Sequence, residues 1–282
     1  MMGMTLAAMT GALSALAAAA PTRDSDVPAP FFGPASMEAA PASSVAAEQP
    51  RTRRRRRRRP RPRGGPYSVT EVKQGGTIEG VALFRGDVPG PRRIRIVKDH
   101  QTCSKRNKIA RKIKVNDKSQ VAEVVVFLGD IKAGKPIEPL ADKPVIDQRT
   151  CTFSPHVQVV ARYQPLEIVN NDPVAHNAHV TQRMSTVINP MQPRRGMRAE
   201  CSFSEVGPAT IKCDIHNWMR AYVYVLWHPY YDVTGRDGGF RLTDVPPGEY
   251  ELVAWQEHLG ERTTRVTVAA GKTTKVEFEL TE

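Results

Sequence analysis

After Pro66 the chain is a succession of short β-branched runs separated by Gly, Pro, Asn and Asp. GTIEGVALFRG, RRIRIV, AEVVVFL, HVQVVAR, PLEIVN, ATIKC and AYVYVLW follow one another at strand length, and the last alternates as a half-buried strand does. Their lengths and spacing predict an all-β sandwich or barrel. No Gly-rich phosphate loop, HExxH or GxSxG motif occurs, so the common nucleotide-binding and hydrolase signatures are absent. At 282 residues the chain is long enough for one or two domains and for a core that holds a buried site.

Charge divides the chain in two. Lys and Arg number 41 against 29 acids, a net +12, yet residues 1–66 alone carry eleven Arg and four acids, a net +7. The first twenty residues, MMGMTLAAMTGALSALAAAA, form an uncharged apolar run ending in small residues. That fits the apolar stretch and cleavage zone of a secretory signal, although no Lys or Arg precedes it; a low-complexity leader is the alternative. Residues 21–66 read as a disordered Pro/Ala/Arg-rich linker. Within it Arg53 to Arg59 are consecutive arginines, which repel one another and stay solvated. They can contact an anionic surface or polyanion. No aromatic residue interleaves them, so they offer no stacking platform for bases and no specific nucleic acid is expected.

The segment IKCDIHNWMRAYVYV carries the chemistry. Cys213, His216 and Met219 stand at three-residue intervals. A thiolate, an imidazole and a thioether are soft or borderline ligands that suit copper better than a hard cation, and two His, one Cys and a distant Met describe a blue-copper electron-transfer centre. A second His must come from elsewhere. IVNNDPVAHNAHV supplies His176, 37 residues before Cys213 and in a turn that closes a strand.

With these residues the sequence resembles the cupredoxins, and most closely their amicyanin-like branch, which has the same Cys-x-x-His-x-x-Met loop and a similar His-Asn-x-His segment. From about residue 75 to 282 it is similar to bacterial methylamine-utilization or plastocyanin-like proteins, which join a cupredoxin domain to a regulatory-like tail. The resemblance implies that His176, Cys213 and His216 are equatorial ligands and Met219 the axial one. It also implies that the backbone N–H of Asn177 bonds the ligand sulfur. His216 would face solvent as the electron exit, with Trp218 adding apolar docking surface. Amicyanin-type loops have prolines beside the second His, where this chain has Ile215 and Asn217. GRDGGFRLTDVPPGEYELVAW, with Phe240, Gly248, Tyr250 and Leu252, resembles a carboxypeptidase regulatory-like, transthyretin-type β module.

Two other readings compete for Cys213. A hairpin about Gly207 would set Cys201 opposite it and allow a disulfide, whereas the resemblance puts the two on opposite sheets. Cys103 and Cys151 are then the expected disulfide, and Cys201 a buried free thiol. His179 is expected to be a surface or hydrogen-bonded residue and His156 a structural one. His100, His228 and His258 are expected at the surface.

The expected architecture is therefore a signal-like segment at 1–20, a linker at 21–66, a cupredoxin-like Greek-key sandwich at 67–228 and a regulatory-like β module at 229–282 docked on it. The expected function is that of an exported, periplasmic or extracellular, mononuclear type 1 copper protein. It would be an electron carrier, not an enzyme, serving a c-type cytochrome or periplasmic dehydrogenase. The alternatives are a copper-handling protein without an electron-transfer role, and a metal-free structural or adhesion β-sandwich protein.

Overall fold

The computed structural model describes residues 66–105, 108–137 and 143–282. The signal-like segment, the arginine run and all of the linker except Pro66 lie outside the described residues. Among those described, the one α-helix is the four-residue His100–Cys103, and the protein has the all-β class expected of it.

The first sandwich packs two mixed sheets face to face. One sheet has Phe153–Ser154, Val145–Gln148, Leu166–Asn170 and Arg198–Cys201 as successive neighbours. The other runs Val157–Ala161, Arg220–Leu226, Gly207–Lys212, His179–Gln182, Ser185–Ile188. Side chains on a strand alternate between faces. Ile146, Phe153, Leu166 and Ile168 of one sheet thereby meet Val180, Ile211, Ala221 and Val223 of the other in one core. The sheets also separate the two unpaired cysteines. Cys201 ends a strand of the four-stranded sheet, while Cys213 follows Gly207–Lys212 in the five-stranded one, and both are free and buried.

The second sandwich is assembled from distant parts of the chain. Gly239–Val245, Gly76–Phe84 and Thr273–Leu280 form one sheet, and Tyr231–Val233, Val125–Leu128, Gly248–Gln256 and Gly260–Val268 the other. Residues 229–282, expected as a docked C-terminal module, thus share sheets with two strands from before residue 130. Gly76–Phe84 runs parallel to Thr273–Leu280 over eight residue pairs, and Val125–Leu128 fills the gap between Tyr231–Val233 and Gly248–Gln256. The chain leaves this sandwich after Leu128, builds the first one from residue 145 to 226, and returns at Tyr231 beside the strand it left. Gly80 lets the sheet close tightly, since a Cβ there would collide with the Val276 carbonyl and the Phe240 ring.

The two sandwiches are stacked through a third core. On Val125–Leu128 the side chains of Val126 and Leu128 enter the second sandwich, while Val125 and Phe127 point the other way. They meet Val157, Val159, Tyr224 and Leu226 on the back of the five-stranded sheet, together with Val253 and Trp255. The Phe127 and Tyr224 rings lie 4.9 Å apart and Tyr224 and Trp255 5.2 Å. Each large side chain buried there contributes roughly 1.5–3 kcal/mol. His228, expected at the surface, is instead buried in the return segment between the sandwiches. Its Nε2 donates to the Leu128 carbonyl at 2.7 Å and its Nδ1 accepts from the Tyr230 N–H at 3.1 Å. Burial holds its pKa down at about 4, so it is a neutral structural bridge.

Because Phe127 is fully buried where the sandwiches meet, Phe127→Ala should cost roughly 3–5 kcal/mol. A lowered chemical-denaturation midpoint with an unchanged slope checks this; a loss below about 1 kcal/mol would mean that the interface contributes little to stability.

Candidate metal centre

The short turn between Gly207–Lys212 and Arg220–Leu226 brings its own ends together. Cys213 N–H donates to the Met219 carbonyl (3.3 Å) and Met219 N–H to the His216 carbonyl (2.8 Å). Positions 213, 216 and 219 are thereby gathered at the end of the sandwich, and all three residues are buried. His176 comes from the neighbouring loop. Asn177 ties that loop to this one: its side-chain oxygen accepts from the Asp214 N–H (2.7 Å) and its amide donates to Asp214 Oδ2 (2.7 Å) and Asn189 Oδ1 (2.7 Å).

Three donor atoms converge. Cys213 Sγ lies 3.8 Å from His176 Nδ1 and 3.7 Å from His216 Nδ1, and the two Nδ1 atoms are 3.0 Å apart. The far nitrogens of both rings meet carboxylates, His176 Nε2 to Asp172 Oδ2 at 3.0 Å and His216 Nε2 to Asp99 Oδ2 at 2.8 Å. An ionised carboxylate only accepts, so each Nε2 carries a proton. In the neutral rings both Nδ1 lone pairs then point at each other and at the sulfur, a repulsive arrangement without a cation or an added proton between them. An ion about 2.3 Å from sulfur and about 2.0 Å from nitrogen in a trigonal plane needs S···N separations of about 3.7 Å. Both observed separations meet this, and the nitrogens need part by only about half an ångström. The donor set fits a soft or borderline ion, copper foremost.

Electrostatics prepares the site. Burial opposes a charge on Cys213, but contacts with His176 and His216, through an added proton between their Nδ1 atoms and the sulfur, and hydrogen bonds from the backbone N–H groups of Asn177 and His216 outweigh it and lower the thiol pKa to about 6. Burial likewise opposes charge on His176 and Asp172. Their mutual hydrogen bond outweighs it for both, with Cys213 helping to raise His176 and the Thr150 and Cys151 N–H groups helping to lower Asp172. Cys201, by contrast, is pushed up to about 11 by burial and the nearby Glu200 charge.

One expectation fails here. His216 does not face solvent: it is 0 % exposed. The segment that carries Asp99 covers it, and the Trp218 ring packs on it with centroids 5.1 Å apart. Cys103 and Cys151 are joined (S–S 2.01 Å), and their sulfurs lie within 4.8 Å of a His216 ring nitrogen. Trp218 is itself turned inward, its Nε1–H donating to the Cys151 carbonyl. His179 bonds Asp214 and Thr186, and His156 meets Glu257 and the Arg220 carbonyl, so neither joins the centre. Asp99 and Asp172 were missed by the sequence reading. Asp172 could have been noticed, since it lies four residues before His176 in a turn; Asp99, 117 residues from His216, leaves no local signal.

In metal-free protein the thiolate absorbance should titrate with a midpoint near pH 6 and be absent in Cys213→Ser, Cys201 staying silent. A folded pKa depressed in this way adds stability that is fully present above the unfolded thiol value, about 8.5. That stability is lost as pH falls through about 6, so Cys213→Ser should flatten this part of the stability profile. A midpoint at or above 8.5 would contradict the assignment.

A family model of the carboxypeptidase regulatory-like domain matches residues 220–281, about a fifth of the chain. No curated protein matches the sequence. Among solved structures, a reduced Cu(I) form of an amicyanin variant at pH 4 is 21 % identical over 32 % of this chain and 87 % of its own, with a TM-score of 0.28. An oxidised amicyanin variant is 20 % identical over the same shares, with a TM-score of 0.28. The copper-containing nitrite reductase of Thermus scotoductus SA-01 is 24 % identical over 34 % of this chain and 24 % of that one, with a TM-score of 0.29.

Proposed function

We propose that this chain is a copper protein whose single type 1 centre carries electrons one at a time between exported redox partners. The observation that carries the reading is the convergence of Cys213 Sγ and two Nδ1 lone pairs in a buried site, both rings being held in that orientation by carboxylates. Copper bound there would supply a Cu(II)/Cu(I) couple. The residues do the rest. His176, Cys213 and His216 would hold the ion, Met219 of the same closed loop is the candidate fourth ligand, and the Asn177 N–H bonds the sulfur. Hydrogen bonds to a thiolate and to ligand imidazoles fix their orientation and tune the metal. Because both loops are tied to sandwich strands, little ligand movement is needed when the charge on the ion changes.

A partner such as a c-type cytochrome or a periplasmic dehydrogenase would dock over the covering segment rather than on a bare imidazole. The buried His216 edge also favours a second reading, a copper-handling protein that retains its ion without passing electrons. Tight retention with reversible redox supports the first reading; retention without reversible redox supports the second.

Adding Cu(II) to the purified protein should produce a thiolate–copper charge-transfer band and a narrow copper hyperfine pattern. Cys213→Ser should abolish both. Met219→Leu should keep the colour and raise the reduction potential, because the thioether stabilises Cu(II). A wild-type protein that stays colourless and copper-free would end both copper readings.

A further inference from the structure

The segment over His216 has no part in either sandwich core sheet. It runs from Arg92–Arg93, which pairs with Ile109–Ala110, through the turn at Asp99 to His100–Cys103. It and the return through Lys108 are held to the loop end of the first sandwich by several described contacts. Ile96 packs on the core, Lys108 Nζ reaches the Thr150 carbonyl and Thr152 hydroxyl, Asp99 accepts from His216, and Cys103 is bonded to Cys151.

We propose that the Cys103–Cys151 disulfide is a strap that holds Asp99 on His216, and that Asp99 is thereby a positioning residue of the centre. The two halves of the strap are anchored very differently. At its Cys151 end the backbone is clamped from both sides. The Thr150 and Cys151 N–H groups donate to Asp172 at 2.6 and 2.7 Å, the Cys151 carbonyl accepts from Trp218 Nε1, and Asp172 is the partner of His176. Thr150 and Cys151 both sit at positive φ, 51° and 52°, a conformation that persists only when its surroundings impose it. At the other end Asp99 also has a left-handed backbone (φ 51°, ψ 43°). Its carbonyl accepts from the Thr102 and Cys103 N–H groups at 3.0 and 2.8 Å. Asp99 is therefore rigidly joined to Cys103 by one turn, and Cys103 to the clamped loop by a covalent bond.

The disulfide thus links two carboxylate–histidine pairs, Asp172–His176 and Asp99–His216. Cutting it leaves the first intact, because Asp172 stays bonded to the Thr150 and Cys151 backbone, and releases the second. A dithiol reductant would do this by passing two electrons and two protons to the S–S bond, becoming a disulfide and leaving two thiols. The state of the strap would then set how readily the ion exchanges, while His176 and Cys213 keep their places. Outer partners of ligand imidazoles affect metal affinity by about 10–100-fold when removed, which is the size of effect expected in ion retention.

This inference rests on the copper reading for its function but not for its test. In metal-free protein at one fixed pH, long-range imidazole NMR should show His216 as a single Nε2–H tautomer in the wild type. In Asp99→Ala, and in Cys103→Ser/Cys151→Ser or dithiol-reduced wild type if the double variant fails to fold, His216 should become averaged while His176 is unchanged. Asp99→Asn, which keeps an acceptor oxygen, should restore part of the order. With copper loaded, loss to a chelator should be on the order of 10-fold faster in Asp99→Ala and in strap-cut protein. The combined change should be no faster than either alone, since residues acting through one contact are non-additive. Additive effects, an unmoved His216, or equal loosening of His176 would overturn the proposal. Failure to bind copper with the NMR response intact would overturn the copper reading instead.

Discussion

The rest of the site depends on where two protons are. Asp172 and Asp99 each take a hydrogen bond from an imidazole Nε2, and that choice turns both Nδ1 lone pairs inward onto a sulfur whose pKa is held at about 6. A protein interior that assembles three electron pairs within 3.0 to 3.8 Å of one another is out of balance unless a positive charge joins them. A proton can do so in the metal-free state, consistent with the raised pKa of His176. A soft cation does so with all three donors at once.

Everything larger serves to hold those atoms still. Cys213, His216 and Met219 occupy a turn that is closed on itself and flanked by strands paired over six residues. The sheet carrying that turn is backed by the third core, where the second sandwich packs against it through Phe127, Tyr224 and Trp255. The second sandwich is in turn completed by Gly76–Phe84 and Val125–Leu128, so the first sandwich is an excursion between two neighbouring strands of the second. Both its chain ends are then fixed by sheet hydrogen bonding, not by a single linker. Residues 220–281, which the regulatory-like family model matches, supply strands to both sandwiches.

Much of this was legible in the sequence, for identifiable reasons. Alternation along AYVYVLW reports a strand with two different faces, and Ala221 and Val223 indeed enter one core while Tyr222 and Tyr224 pack toward the other. Cys213, His216 and Met219 are local, so spacing alone displays them; His176 needed only the idea that a three-donor loop lacks a fourth ligand. The rest is long-range. Asp99 meets His216 across 117 residues, and a lone Asp in RRIRIVKDHQTC carries no sign of its partner. Its neighbour Ile96 packs on the first core, and Asp99 covers the His216 edge that the cupredoxin resemblance implies is in solvent. His228 shows the same gap, because a histidine after a strand gives no hint that a second sandwich will close over it.

The central claim is that one ion sits among Cys213, His176 and His216. X-ray absorption at the copper edge of the loaded protein tests it most directly. The account predicts a first shell with one sulfur and two imidazole nitrogens at bonding distance, the sulfur vanishing in Cys213→Ser. A shell of oxygen and nitrogen alone, or one unaltered by that substitution, would contradict it.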